Sequence, residues 1–191
     1  MADLITLDEF KESKGLSNIK DDERLSILIQ SVSQLVKTYC GNSIIDYYST
    51  NKIETFNINW NTHIVQLTES PLNSVVSVEI RDSVTAAYTT LSTNDYYIDT
   101  TTDSIFRVST NTYRNWPRGA GSVRVTYTAG YLQTPADLKL ACIDLVQYYY
   151  KEEYTQRRTL AGATVENQGT SATRIGFPDH IKRVLDLYKN F

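Results

Sequence analysis

Apolar residues recur at three- and four-residue steps near both ends of the chain, and this spacing predicts amphipathic helices. The longest pattern follows the acidic residues 21–23 and stops before Gly41, a suitable residue at a helix C-terminus. Its apolar positions are Leu25, Leu28, Ile29, Val32, Leu35, Val36 and Tyr39. A shorter helix is predicted before it, opened by a capping box of Thr6 and Glu9 and closed by Gly15.

Strict alternation of apolar and polar residues replaces the helical spacing between about residues 47 and 127, and it predicts strands. Val123, Val125 and Tyr127 form one apolar face of the clearest strand. Asn61-Thr62 is expected to form a tight turn between the first two strands, and residues 116–121 a loop. Five earlier strands are predicted around Phe56, Ile58 and Trp60; Ile64, Val65 and Leu67; Val76, Val78 and Ile80; Tyr96, Tyr97 and Ile98; and Ile105, Phe106 and Val108.

A central helix is predicted directly after the last strand. Thr134 is expected to cap it and Pro135 to occupy its first position. The helix is expected to end at Arg157 and Arg158, since positive charge suits the end of a helix dipole, and Glu153 can pair with Arg157. Its apolar positions are Leu138, Ala141, Cys142, Leu145, Tyr148 and Tyr149.

The order of these elements predicts an α+β fold. Residues 160–173 are small, polar and aperiodic and are expected to form a loop. A last helix follows residues 177–179, with Ile181, Val184, Leu185 and Tyr188 on its apolar face. We therefore expect a small helical bundle, residues 1–46 plus 128–191, into which a mainly antiparallel β module, residues 47–127, is inserted.

Composition narrows the class of protein. A chain of 191 residues with 41% hydrophobic and 21% charged residues suits a globular domain, and its net charge of -3 argues against a general nucleic-acid binder. The charge is compatible with a protein past which DNA slides. No apolar run reaches the roughly 20 residues of a membrane helix, and no signal peptide is expected. The two cysteines, Cys40 and Cys142, are expected to be buried thiols.

Signatures of catalysis or metal binding are not found in the sequence. His63 and His180 have no Cys or His at ligand spacing, so no metal site is expected. No nucleophile elbow or phosphate loop is present, and Arg124 stands where a dinucleotide fingerprint needs its third glycine. Turn formation explains three aspartates better than a calcium loop does. These aspartates are Asp95, Asp99 and Asp103. We expect neither a cofactor nor an enzyme.

Two parts of the chain together resemble the head–tail connector (adaptor) proteins of tailed bacteriophages. One is the strand that ends Val-Thr-Tyr-Thr-Ala-Gly-Tyr, followed by a turn with Pro, Asp-Leu-Lys-Leu-Ala and a helix that ends in several Tyr. The other is the opening of the chain, a short capped helix and a longer amphipathic helix that ends in Tyr-Cys-Gly-Asn. The resemblance also covers the loop, the Pro and the short helix near the C-terminus.

The resemblance implies a structural virion protein in the neck, assembled in the host cytoplasm. Such proteins form a homo-oligomeric ring, commonly of twelve copies, between the portal protein and a tail-side neck or stopper protein. DNA passes through the ring without sequence-specific binding, and no membrane is involved. The loop at 160–176 is expected to reach a neighbouring copy, the portal or the lumen. Candidate subunit or portal contacts are Arg157, Arg158, Thr164, Val165, Glu166 and Arg174.

Three other functions are considered. The β module can be a ligand- or carbohydrate-binding module if Trp60 and Trp116 form an exposed aromatic pair. The alternation instead places Trp60 on one face with Phe56 and Ile58, which favours a core position. The chain can also be a head-completion stopper one layer below the adaptor. An enzyme with an unrecognised site is the third possibility.

Overall fold

The computed structural model describes residues 2–151, 158–160, 163–165 and 177–189, and for 158–160 and 163–165 it describes the backbone alone. The chain divides into two compact units, Met1–Asn42 with Gln133–Lys189 and Ser43–Leu132. The first unit carries the helices and the second carries two antiparallel sheets. The predicted fold class, α+β with an antiparallel β module, is confirmed.

The helical unit contains four described helices, namely α1 (Leu7–Lys14), α2 (Asp22–Cys40), α3 (Ala136–Tyr150) and α4 (Asp179–Asp186). The predicted capping box is confirmed, because Thr6 Oγ1 accepts from the Glu9 N–H at 3.2 Å and Glu9 Oε2 accepts from the Thr6 N–H at 2.9 Å. Both α1 and α2 end at glycines with positive φ. None of the described helices has both the length and the hydropathy needed to cross a bilayer.

The buried face of α2 differs in part from the predicted stripe. Leu35 is 39% exposed and Leu28 only half-buried, so their placement in the core is wrong. Apolar residues at both 28 and 29 and at both 35 and 36 make the stripe wider than one helix face, and α3 and α4 cover only part of it. The buried apolar residues of α2 are Leu25, Ile29, Val32, Val36 and Cys40.

The first four predicted apolar positions of α3 are confirmed, but Tyr148 and Tyr149 are only half-buried, and both ends of the helix differ from the prediction. Leu138, Ala141, Cys142 and Leu145 are buried, as are Ile143 and Val146. The predicted cap is wrong, because the Thr134 hydroxyl donates to the carbonyl oxygen of Leu4 at 2.7 Å and Pro135 occupies the N-cap. This bond is to a distant segment of the chain, so local sequence rules do not reveal it. The buried state predicted for Cys40 and Cys142 is confirmed.

The C-terminal end of α3 lies before the predicted one. The helix ends at Tyr150, and Arg158 lies instead in β9 (Arg158–Leu160), which pairs antiparallel with β10 (Ala163–Val165). Placing Arg158 at the end of the helix is therefore wrong, as is treating all of 160–176 as a loop. Thr159, Thr164 and Val165 are β-branched residues, which favour strands. The predicted pair of Glu153 and Arg157 lies outside the described residues.

The second unit contains eight strands in two sheets, all paired antiparallel. The first sheet has the order β1-β8-β3-β4, and the second has the order β2-β6-β5 with β7 paired to β6. The strands are β1 (Lys52–Ile58), β2 (Ile64–Gln66), β3 (Leu72–Ile80), β4 (Thr89–Thr90), β5 (Tyr96–Asp99), β6 (Ser104–Ser109), β7 (Thr112–Tyr113) and β8 (Gly119–Ala129). One core draws on both sheets, with Tyr127 of β8 fully buried in it.

Several details of the sheets differ from the predictions. The turn predicted at Asn61-Thr62 is wrong as a hairpin, because β1 and β2 belong to different sheets. Val76 is exposed because β3 has a register shift between Val75 and Ser77, and such a bulge moves later side chains to the other face. Strand β8 begins at Gly119, so residues 119–121 are not a loop.

Candidate functional site

One exposed face of α2 is apolar and uncharged. Ile27 is 59% exposed, and it lies at helical spacing with Ser31 and the partly exposed Leu35. The Ser31 hydroxyl donates to the carbonyl oxygen of Ile27 at 2.8 Å, so its hydrogen is already bonded within the helix. No charged residue occurs between Leu25 and Val36. Ile27, Ser31 and Leu35 are named the α2 patch, and its composition is typical of a protein contact.

A second exposed surface lies on the outer face of the sheet β2-β6-β5. Phe106 of β6 is flanked directly by Ile64 of β2 and Tyr97 of β5. The ring centres of Phe106 and Tyr97 are 6.2 Å apart, and those of His63 and Tyr113 are 4.5 Å apart. Phe106 also contacts the His63 and Tyr113 rings. Since Tyr97 is 59% exposed, this aromatic patch is open to solvent within its unit.

An arginine–tyrosine cluster lies on the outer face of the other sheet. The guanidinium of Arg124 lies 3.9 Å from the centre of the Tyr88 ring, and that of Arg81 lies 4.8 Å from it. Arg124 Nε also donates to Glu79 at 2.7 Å, which raises the pKa of the arginine. Arg81 Nε donates to the carbonyl oxygen of Gly121 at 2.8 Å. These bonds attach the β3–β4 hairpin to β8, so the cluster has a structural explanation.

The acidic residues Glu54 and Glu69 belong to a paired hydrogen-bond network in the sheet unit. Glu69 is buried and accepts from the Ser43 N–H at 2.8 Å and from Lys52 Nζ at 2.8 Å. The Tyr127 hydroxyl donates to Glu54 Oε2 at 2.8 Å and accepts from the Glu69 N–H at 3.3 Å. Burial raises the pKa of the Tyr127 hydroxyl. The network therefore holds neutral and charged groups in fixed pairs, which suits a structural role.

Asp99 and Asp103 flank the turn between β5 and β6, as predicted, whereas Asp95 lies in the short 3-10 helix Thr93–Asp95 before β5. Asp99 accepts from the Thr101 N–H and from the Thr102 hydroxyl, each at 2.9 Å, and these bonds lower the pKa of Asp99. Asp103 accepts from the Leu72 N–H at 2.7 Å. Within the described ranges, no three His, Cys, Asp or Glu side chains come together as a metal site would require.

Three of the six candidate contacts named from the sequence, Arg158, Thr164 and Val165, lie in the paired strands β9 and β10. Arg158 stands opposite Val165 in its register, and Thr164 stands opposite Thr159. Arg157, Glu166 and Arg174 lie outside the described residues. The structure therefore brings Arg158 and Val165 together on paired backbone, and all six residues stay predictions as contacts.

The two tryptophans do not form the exposed pair that a carbohydrate-binding module would need. Trp60 is 66% exposed, so the expected core position of Trp60 is wrong. It follows β1 instead of lying within the strand, and the alternation of β1 therefore does not apply to it. Trp116 is only 2% exposed. The α2 patch and the aromatic patch were not identified from the sequence, although the uncharged stretch 25–36 is a usable signal for the first.

Comparison with known proteins identifies the family of this chain and other proteins that share its fold. The family model described as "Head completion protein" matches residues 3–191. A head completion protein of Escherichia phage T5 is 39% identical over 70 residues. The matched part is 36% of this chain and 39% of the T5 protein, so the match spans well under half of that relative.

Solved structures of gene transfer agent (GTA) particles share the fold. One chain, from the neck of an empty GTA particle computed with C6 symmetry, has a TM-score of 0.62 at 14% identity over 98% of this chain and 90% of that chain. Another, from the neck of a native GTA particle computed with C12 symmetry, has a TM-score of 0.61 at 13% identity over 100% and 94%. The family match extends over almost the whole sequence and confirms the resemblance to phage neck proteins: the chain belongs to the head completion protein family.

Proposed function

We propose that this chain is a structural protein of the virion neck that forms a ring between the portal and the tail, around the DNA channel. The family match over residues 3–191 carries the proposal. The fold shared with chains from particle necks supports it. Its mechanism is assembly, and we propose that it catalyses no reaction.

The ring is proposed to be a homo-oligomer of twelve copies that contacts the portal protein on one side and a tail-side neck or stopper protein on the other. A ring of identical head-to-tail contacts closes on itself, so each copy needs two different complementary surfaces. Residues 1–46 plus 128–191 are proposed as the ring scaffold and residues 47–127 as the inserted module. The net charge of -3 favours a channel that does not retain DNA.

The α2 patch is proposed as one surface of the contact between copies. Its two large side chains, Ile27 and Leu35, remain partly in water in the single chain. Burial of such a side chain contributes about 1.5–3 kcal/mol when complete, so partial burial of both supports a modest contact. A modest contact repeated around a ring suits a protein that assembles only on its partner.

Electron microscopy of the chain mixed with purified portal complexes tests this function. Rings on the portal are expected with the unchanged chain and with Ser26→Asp, because exposed Ser26 lies about 180° from Leu35 and about 100° from Ile27 around α2. Leu35→Asp should prevent ring formation, because it places a charge in the contact. Circular dichroism confirms that both variants fold.

The outcomes separate the parts of the proposal. If the unchanged chain joins neither the portal nor a portal that already carries an adaptor, the neck function is wrong. Rings that form only on a portal with a bound adaptor identify a stopper instead of an adaptor. If Leu35→Asp assembles as well as Ser26→Asp, the α2 patch is not the contact, whereas the neck function stands.

A further inference from the structure

Two polar side chains are enclosed at one end of the sheet β2-β6-β5. Arg107 of β6 is 8% exposed and lies on the same inner face as Ile105, and Trp116 belongs to the segment between β7 and β8. The backbone N–H of Arg107 donates to the carbonyl oxygen of His63 at 2.8 Å. The backbone N–H of Trp116 donates to the carbonyl oxygen of Thr62, also at 2.8 Å. Both residues are thus fixed to the connection between β1 and β2.

The hydrogen-bond donors of these two side chains are mostly unused. Arg107 Nη1 donates to the carbonyl oxygen of Asn115 at 2.8 Å, and the guanidinium lies 5.8 Å from the centre of the Trp116 ring. In the part of the chain that the structure describes, no carboxylate forms an ion pair with Arg107, and Trp116 Nε1 has no acceptor. The other guanidinium nitrogens of Arg107 still reach solvent, whereas Trp116 Nε1 is enclosed, and enclosed donors are nearly always satisfied.

The surrounding charges leave this guanidinium only partly compensated. Asp95 and Asp82 favour its charge from beyond ion-pair distance, and Arg114 opposes it. Burial is the main cause that lowers the pKa of Arg107. Because both burial and Arg114 disfavour the charged form of Arg107, an anion bound beside the guanidinium would stabilise it.

We propose that Arg107 and Trp116 form a binding site for one carboxylate group, presented by an acidic side chain of a neighbouring protein. A carboxylate has two coplanar oxygens that accept at about 2.9 Å, so it can receive the guanidinium fork and the indole N–H together. The inference is independent of the ring, since it concerns the sheet unit alone.

DNA is a less suitable occupant of this site. Binding to a nucleic-acid backbone takes several exposed cations that contact successive phosphates, whereas this site offers one nearly buried guanidinium. The chain as a whole is also negative. A side-chain carboxylate is small and carries a single negative charge, so it can reach the Arg107 guanidinium at a site too narrow for a DNA duplex.

Nuclear magnetic resonance of the indole N–H groups tests the site in the full chain. The chain has two tryptophans, and Trp60→Phe assigns the two signals. Sodium acetate is titrated against sodium chloride at equal ionic strength, with inorganic phosphate and a short DNA duplex as separate arms. We expect acetate to shift the Trp116 Nε1–H signal saturably and to leave the exposed Trp60 signal unchanged.

Variants distinguish the site from general surface charge. Arg107→Gln should abolish the acetate-dependent shift, and Arg118→Gln, which removes an exposed arginine from the same segment, should preserve it. Arg107→Lys keeps the charge and loses the fork, so binding should weaken about tenfold, as for the loss of one charged hydrogen bond.

Several results would overturn the proposal. The first result needs only the unchanged chain. If acetate and chloride shift the Trp116 Nε1–H signal equally, Arg107 does not bind a carboxylate and only holds Asn115 in place. A shift with phosphate or DNA but not with acetate would exclude the carboxylate. Equal loss in Arg107→Gln and Arg118→Gln would indicate a diffuse charge effect. If Arg107→Gln does not fold, Arg107→Lys replaces it in this comparison.

Discussion

Replacing Tyr127 by Phe removes one buried hydroxyl and keeps the ring that fills the sheet core. That hydroxyl joins two acidic residues from different segments, since it donates to Glu54 Oε2 at 2.8 Å and accepts from the Glu69 N–H at 3.3 Å. Tyr127 is fully buried, so water cannot easily replace the lost group. The variant therefore measures how much the hydroxyl contributes to the sheet unit.

The expected loss follows from the two bonds. A hydrogen bond to a charged group contributes about 1.5–3 kcal/mol, and a buried N–H left without an acceptor costs about 1–3 kcal/mol. The first loss is reduced, because Glu54 keeps Lys52 at 3.4 Å and the Thr68 hydroxyl as partners. The second is reduced because 3.3 Å is a long bond. We expect the free energy of unfolding to fall by about 2–3 kcal/mol.

Urea denaturation followed by circular dichroism and tryptophan fluorescence measures this change. Tyr97→Phe is the matched control, because Tyr97 is largely exposed and its hydroxyl has no partner within the described chain. The control should alter the free energy of unfolding by less than about 0.5 kcal/mol. Equal effects of the two variants would refute the reasoning, since the buried network would then contribute nothing.

Two further predictions concern backbone conformation and pH. Gly130→Ala should destabilise the chain more than Gly15→Ala in urea denaturation. Both glycines have positive φ, but only at Gly130 would a Cβ collide with a carbonyl oxygen, that of Ile44; equal losses would contradict this. Burial raises the pKa of Cys40 from 9.0 to about 11 and that of Cys142 from 9.0 to about 12. Above pH 9 the unfolded chain therefore releases protons that the folded chain keeps, and the free energy of unfolding should fall towards pH 12. Denaturation between pH 8 and 10 should show a smaller fall when both cysteines are Ala, and an unchanged fall would contradict the assignment.

Local signals predicted where the described helices and the main strand lie, although they did not give the ends of α3. The capping box of Thr6 and Glu9 involves residues three positions apart, and the alternation around Val125 lies within one strand, so both can be read directly. The division into two sheets could not be read in this way, because strand partners are far apart in sequence. The bulge at Val76 and the exposed Trp60 depend on the same distant pairings.

The candidate surfaces were harder to predict than the fold. Leu35 fits a core stripe by spacing alone, and its exposure depends on how much of α2 the other helices cover. Around Arg107 both strand faces carry apolar residues, since Ile105 alternates with Phe106 and Val108. The pattern therefore does not show that the arginine faces inward.

The helical unit is assembled from two segments that leave the ribosome at different times. α2 ends at Cys40, and its partner α3 begins only at Ala136. At bacterial synthesis rates of about 5–20 residues per second, roughly 5–20 s separate the two. During that interval the contiguous sheet unit can complete itself, whereas Leu25, Ile29 and Val32 have no α3 to cover them. A nascent chain halted before residue 136 is therefore expected to be a chaperone client and a substrate for proteolysis.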